Sequence, residues 1–151
     1  MLAGCGLLLT PSSPNAARVN APSFLAASLY VALGGALGAW LRYLTALAWS
    51  RVIGAAAAFP WATLSVNAVG SLLMGVLTGW LLRHGDHGEG WRLLLGVGVL
   101  GGFTTFSAFS LDLVQMIERG QLGGALLYGA ASLVVGMAAL FVGLAIVRVA
   151  I

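Results

Sequence analysis

A stripe of polar side chains runs through an apolar stretch in the middle of the chain. Its members recur four or seven residues apart and share one face of a helix: Thr63, Asn67, Ser71 and Thr78. Asn67 lies well inside the apolar stretch, and its amide offers two N–H donors and one carbonyl acceptor. Taken singly, Ser71, Thr63 and Thr78 are explained by hydrogen bonding between helices, which contributes roughly 0.6 kcal/mol for each group. For Asn67 we favour a functional role.

Aromatic rings and hydroxyls extend this set of donors. Phe106 and Phe109 are three residues apart, and Tyr128 and Ser132 are four apart, so each pair shares a helical face. The edge of a phenylalanine ring carries the positive part of its quadrupole, so two edges can hold a partly dehydrated anion. Amide, hydroxyl and ring-edge donors together suit a small, strongly hydrated anion. The simpler alternative is that the phenylalanines are core or lipid-facing residues.

Residues 101–109, Gly-Gly-Phe-Thr-Thr-Phe-Ser-Ala-Phe, place poor helix formers inside a long apolar stretch. Non-helical backbone at membrane depth survives only where it is buried in protein or lines a cavity. We therefore predict a broken helix whose carbonyls, amides or hydroxyls serve an ion or a substrate. Close packing by the glycines is the alternative.

Charged residues are rare within the apolar stretches. Arg42 is the only arginine well inside one, where a centred arginine costs about 2.5–3.5 kcal/mol. It either snorkels to the helix end or attracts anions into a vestibule. Asp112 is the only acid within a span and lies near its end. No ring of carboxylates marks a cation pathway.

Composition identifies an integral membrane protein. Of 151 residues, 60% are hydrophobic and 7% charged, whereas a soluble domain carries roughly 25% charged residues. The net charge of +3 comes from arginine without lysine and is spread thinly, which argues against a nucleic-acid partner. One cysteine and two histidines exclude an intramolecular disulfide framework and argue against a metal cage. No nucleophile–base pair appears within the spans, so we do not expect an enzyme.

The elements that position these residues are four predicted transmembrane helices in an all-α membrane protein. Each apolar stretch exceeds the ~20 residues that span a bilayer: 24–49, 60–82, 91–117 and 122–147. Short connections make each helix antiparallel to the preceding one. Residues 1–22 are predicted to be a disordered N-terminal extension, and residues 23–151 a four-helix transmembrane channel domain.

Arginine placement leaves the orientation open. One side of the predicted topology holds four arginines, and the other holds two, or three if Arg42 is included. So weak a bias is compatible with a dimer of oppositely oriented subunits and with a single topology. Four helices hardly enclose a pore alone, so we expect an assembly through glycine-lined faces. Gly34-x-x-x-Gly38 is a small-residue packing motif of that kind.

Three motifs, in order, resemble the Fluc (CrcB) family of fluoride channels over about residues 28 to 148. The first is Gly34-Gly35-x-x-Gly38-Ala39-x-x-Arg42-Tyr43, and the second is Thr63-Leu64-x-Val66-Asn67-x-x-Gly70-Ser71. The third is the segment 101–109, with Ala108 where threonine is common. The ordered trio is more specific than any one motif.

The resemblance implies an antiparallel, dual-topology homodimer with two pores in the bacterial inner membrane, letting fluoride leave passively down its gradient and so conferring fluoride resistance. It implies a central Na⁺ held by the backbone carbonyls of Gly101 and Thr104. Pore residues implied or proposed with it are Asn67, Phe106, Phe109, Tyr128, Ser132, Thr63 and Arg42. Gly136 stands where family members have serine in the hydroxyl track.

Two other hypotheses compete. A small four-helix, proton-coupled exporter of cationic drugs needs a membrane-embedded carboxylate, usually in helix one, and helix one here has none. Asp112 alone remains for that role. A structural membrane subunit without a pathway is the second.

Overall fold

The computed structural model describes residues 22–54, 59–84 and 88–149. The predicted extension, residues 1–22, lies outside this part of the chain except for Pro22. Four helices in the described residues are long and apolar enough to cross a membrane. The prediction of four spans is therefore confirmed, and helices are the expected spanning form because they satisfy their backbone polar groups internally.

The first two spans are continuous helices. Helix α1 covers Phe24–Ile53 and begins after Ser23, whose side chain accepts a hydrogen bond from the Ala26 N–H at 3.3 Å. It ends at Gly54, whose φ of 82° suits glycine at a helix end. Helix α2 covers Trp61–His84. Both helices end a few residues later than predicted, at Ile53 and His84. The prediction stopped at the end of each apolar run, whereas the helices continue through polar residues such as Arg51 and Arg83.

The third span, Glu89–Glu118, is made of two helices. Helix α3, residues 89–103, joins a short α-helical stretch, Glu89–Trp91, to a π-helical one, Arg92–Leu100, and a final turn, Gly101–Phe103. Helix α4 covers Phe106–Glu118. Thr104 and Thr105 between them have extended dihedral angles, with ψ values of 157° and 123°. Helix α5, Leu122–Val149, forms the fourth span.

Glycines bring the helices together in two pairs. On α1, a Cβ at Gly34 or Gly38 would collide with the backbone of α3, at the carbonyls of Leu94 and Val99. The Gly34-x-x-x-Gly38 face thus packs within the chain, and our expectation that it forms the contact between subunits is wrong. The second pair is α2 with α5, where a Cβ at Gly143 would meet the Leu72 carbonyl.

Most large apolar side chains point outward. Gly34 and Gly38 are the buried residues of α1, and exposed side chains of that helix such as Leu33 and Trp40 face lipid or another protein surface. A buried cluster of Met116, Ala125 and Tyr128 joins α4 to α5. A protein that buries so little apolar surface in one chain depends on surroundings that are themselves apolar.

Replacing Gly143 with alanine should destabilise the α2–α5 pair by about 1–3 kcal/mol, since the new methyl group overpacks a backbone contact. Gly123→Ala on the same helix is the matched control, because no atom lies within 4 Å of its added Cβ. Thermal unfolding in detergent, followed by helical circular dichroism, compares the two. Equal melting of Gly143→Ala and Gly123→Ala would contradict the packing argument.

Candidate functional site

The site is built around the two extended residues between α3 and α4. Thr104 closes α3, because its backbone N–H and its hydroxyl both donate to the Leu100 carbonyl, at 3.0 and 2.8 Å. Thr105 opens α4 as its N-cap, with its hydroxyl accepting from the Ala108 N–H at 3.2 Å. The two threonines thereby terminate one helix and start the next within a single span.

Asn67 of α2 satisfies the backbone at this point. Its Nδ2 donates to the Thr105 carbonyl at 3.0 Å, and its Oδ1 accepts from the Thr105 N–H at 2.9 Å. Thr105 is itself buried, where an unpaired backbone group costs about 1–3 kcal/mol. The Asn67 amide therefore holds the extended backbone in place and retains one N–H for another partner.

Backbone carbonyls at the end of α3 lose their helical donors as a result, among them those of Gly101 and Thr104. In a continuous α-helix the Thr105 N–H would donate to Gly101 and the Ala108 N–H to Thr104. Here the first donates to Asn67 and the second to the Thr105 hydroxyl. Gly101 is exposed and Thr104 half-buried, so both carbonyls are candidates for another ligand.

Close approach of α2 to the extended segment depends on Gly70. A Cβ at that position would overlap the Thr104 methyl group. Any larger residue would push the extended segment away from Asn67, which lies one helical turn earlier on the same face. Gly70 and Asn67 therefore act as one structural unit.

A cavity of about 330 Å³ lies beside this unit. It brings together four of the predicted pore residues, Asn67, Phe106, Phe109 and Ser132, from three helices. Its wall is completed by these residues: Gly70, Ser71, Met74, Thr104, Thr105, Leu133, Gly136 and Leu140. Amide, hydroxyl and aromatic groups thus meet in one space with no acidic side chain in its wall.

Ser132 contributes a hydroxyl that lacks a hydrogen-bond partner within the described part of the chain, although its oxygen is buried. Buried hydroxyls normally find a partner. Ser132 lies in the cavity wall and beside the Tyr128 hydroxyl, and a rotation of its side chain would present the hydroxyl to a ligand. Gly136, one turn further along α5, adds no polar group.

Phe106 and Phe109 form a tilted pair with ring centroids 5.8 Å apart and an interplanar angle of 41°. Phe109 is half-buried, whereas Phe106 is 80% exposed. The cavity is accordingly walled on one side and open on the other.

Tyr128 takes a different position from the other predicted pore residues. It is fully buried, and its ring packs against Phe59 and Phe109 at centroid distances of 5.4 and 5.3 Å. Its hydroxyl donates to the Asp112 carboxylate at 3.3 Å, with the side chains of Thr63 and Ser132 close by. Tyr128 therefore lies behind Phe109 and does not line the cavity.

Arg42 and Thr63 line a second cavity, also of about 330 Å³, with Tyr43. Thr105 and Ala108 form part of its wall, and Thr105 is shared with the first cavity. The structure thus divides six of the seven predicted pore residues between two spaces that share Thr105, and Tyr128 lines neither.

Sequence reasoning missed the importance of Thr105 and Gly70. For Thr105 the signal was its position three residues before Ala108, because the side chain of an N-cap accepts a hydrogen bond from the N–H two or three residues later. For Gly70 it was a glycine one turn after the asparagine in a polar stripe. Neither signal identifies its contact without the position of the neighbouring helix.

Comparisons with known proteins agree with one another. The family model described as "CrcB-like protein, Camphor Resistance (CrcB)" matches residues 29–144. A protein of Novosphingobium aromaticivorans named fluoride-specific ion channel FluC is 54% identical over 110 residues, 73% of this chain and 86% of that protein. Proteins of the same name from Erythrobacter litoralis and Rhodospirillum centenum are 57% and 49% identical. They match 69% and 82% of this chain, and 79% and 96% of their own lengths.

Asn67→Ala should expose the Thr105 amide to hydrogen exchange, because it removes both bonds that hold the extended segment. At about 1–3 kcal/mol for a lost buried partner, the exchange rate should rise by about fivefold to a hundredfold. Mass spectrometry of peptides covering residues 100–109 measures it. Thr78→Val, an exposed position on the same helix, serves as the control, and unchanged protection in Asn67→Ala would refute this role.

Proposed function

The chain belongs to the CrcB family, and from this premise we propose that it is a fluoride-specific ion channel. It lets cytoplasmic fluoride leave passively down its gradient and thereby confers fluoride resistance. It is a transport protein and not an enzyme, and its four spans place it as a multi-pass protein of the bacterial inner membrane. The three relatives described above are all named fluoride-specific ion channel FluC, and this chain matches most of the length of each.

The cavity beside Asn67 is the observation that supports this function most directly. Fluoride is small and strongly hydrated, so a pathway must replace its water with good donors. The free N–H of Asn67, the unpartnered Ser132 hydroxyl and the edges of Phe106 and Phe109 supply such donors in one space. Because the wall contains no carboxylate, an anion meets no like charge there.

We propose that Arg42 and Thr63 serve the same pathway from the second cavity. Tyr128 serves it from behind Phe109. Arg42 supplies a positive charge at membrane depth that draws anions toward Thr63 and the shared Thr105. Tyr128 acts through its neighbours, since its hydroxyl is bonded to Asp112.

We propose further that the channel is a homodimer of two oppositely oriented subunits with two pores. Three features support this: the cavity is open on one side, Phe106 at its rim is 80% exposed, and Gly101 is exposed. A second subunit placed against this surface would cover Phe106 and close the open side.

The carbonyls of Gly101 and Thr104 are proposed to hold a structural Na⁺ between the subunits. Their helical donors, the N–H groups of Thr105 and Ala108, are redirected to Asn67 and to the Thr105 hydroxyl. Carbonyl oxygens are the ligands that alkali cations take in channels and at unwound transporter helices. Two subunits would supply four such oxygens.

The proton-coupled cation exporter is not favoured. The described α1 contains no acidic residue, and the carboxylate of Asp112 is engaged by the Tyr128 hydroxyl. A purely structural subunit predicts no selective flux at all.

Liposomes containing the purified protein should release fluoride without chloride, measured with two ion-selective electrodes in parallel. Asn67→Ala should lower fluoride efflux by about tenfold or more, since a hydrogen bond to an ion contributes about 1.5–3 kcal/mol. Thr78→Val should retain efflux. No fluoride release from dimeric wild-type protein would reject the channel, and wild-type flux in dimeric Asn67→Ala would reject the role of Asn67.

Tags at the two ends of the chain should both be found on both sides of the membrane, as antiparallel insertion requires. In the same preparation, replacing Na⁺ by K⁺ should weaken the dimer on size-exclusion chromatography. A single tag orientation would overturn the antiparallel arrangement. Dimer stability that is indifferent to the cation would overturn the sodium site.

A further inference from the structure

An apolar groove of about 610 Å³ lies between α2, α3 and α5, away from the cavity of the pore residues. Its lining is aliphatic apart from two tryptophans, Trp80 and Trp91. The remaining residues are Leu73, Val76, Leu77, Leu95, Val99, Leu100, Ile146 and Val147. The groove shares none of its residues with the pore cavity.

One end of the groove is aromatic and cationic. Trp80 and Trp91 line it at the membrane-interface ends of α2 and α3, as tryptophans of an aromatic belt do. Arg83 follows Trp80 by about one turn, and Arg148 directly follows Val147. Two arginines therefore adjoin the groove residues at this end of α2 and α5.

The side chain of Arg83 reaches the backbone of Arg148. The Arg83 Nη2 donates to the backbone carbonyl of Arg148 at 3.3 Å, and both residues are exposed. Arg92 at the same end is paired with Glu89, with 2.7 Å between nitrogen and oxygen. Within residues 22–54, 59–84 and 88–149, neither Arg83 nor Arg148 forms an ion pair.

The groove lies within the depth of one leaflet. Along α2 the groove runs from Trp80 to Leu73, seven residues or about 10 Å at the rise of an α-helix. Half of the hydrocarbon core is about 15 Å. An acyl chain that enters at the tryptophans would thus run along the whole groove.

We propose that this groove binds an anionic phospholipid, with one acyl chain between α2, α3 and α5 and the phosphate on Arg83 and Arg148. Basic pockets between transmembrane helices recognise anionic headgroups in this way, and arginine is suited to phosphate because its planar fork donates two parallel hydrogen bonds. The site is independent of the proposed channel activity.

Native mass spectrometry of the dimer, titrated with phosphatidylglycerol or phosphatidylcholine, tests the site. The wild type should retain phosphatidylglycerol preferentially. Arg83→Gln and Arg148→Gln should each weaken its retention by about fivefold, whereas phosphatidylcholine retention stays constant. Arg51→Gln, which removes an exposed arginine from the last turn of α1, should leave both unchanged.

A second variant tests the groove itself. Leu73→Trp should fill it and lower retention of both lipids while the dimer mass persists. Three results would overturn the proposal: equal retention of the two lipids by the wild type, an Arg51→Gln effect as large as that of Arg83→Gln, or lipid bound to the monomer but excluded from the dimer. The last would mean that a second copy covers the groove.

Discussion

The paired hydrogen bonds between the Asn67 side chain and the backbone of Thr105 are the contact on which the site depends. Inside a membrane, an extended segment needs partners for its N–H and carbonyl groups, and water is not available to supply them. One asparagine provides both partners from a neighbouring helix. Because the Thr105 N–H donates to Asn67, the Gly101 carbonyl loses its helical donor. The second N–H of the Asn67 amide is not used by Thr105. The same residue thus connects the extended backbone to the chemistry of the cavity.

That contact requires the helices to lie unusually close. Gly70 admits the Thr104 methyl group, and the Gly143 contact draws α5, with Ser132, against α2. On the other side, Gly34 and Gly38 press α1 onto α3. In lipid, apolar burial does not drive helices together, so close packing of small residues takes its place. The glycines at these contacts are explained by close packing and not by flexibility.

The surface of the single chain is organised in two different ways. Around Phe106 and Gly101 it presents an open cavity and carbonyls without helical donors, features suited to a second protein surface and an ion. Around Trp80, Trp91 and the adjacent arginines it presents an aliphatic groove, suited to a lipid. Both regions lie on the outward surface of a chain that buries few large apolar side chains within itself.

The sequence by itself determined the four spans, because the length of an apolar stretch is set by bilayer thickness and needs no partner. It also singled out Asn67 and the segment 101–109, since an amide and helix-breaking residues at membrane depth are costly without a purpose. It did not determine that Gly34 and Gly38 pack within the chain, that Tyr128 donates to Asp112, or that Asn67 bonds to Thr105. Helical periodicity assigns a residue to a face, but which neighbour meets that face depends on how the helices are arranged, and only the tertiary structure decided that.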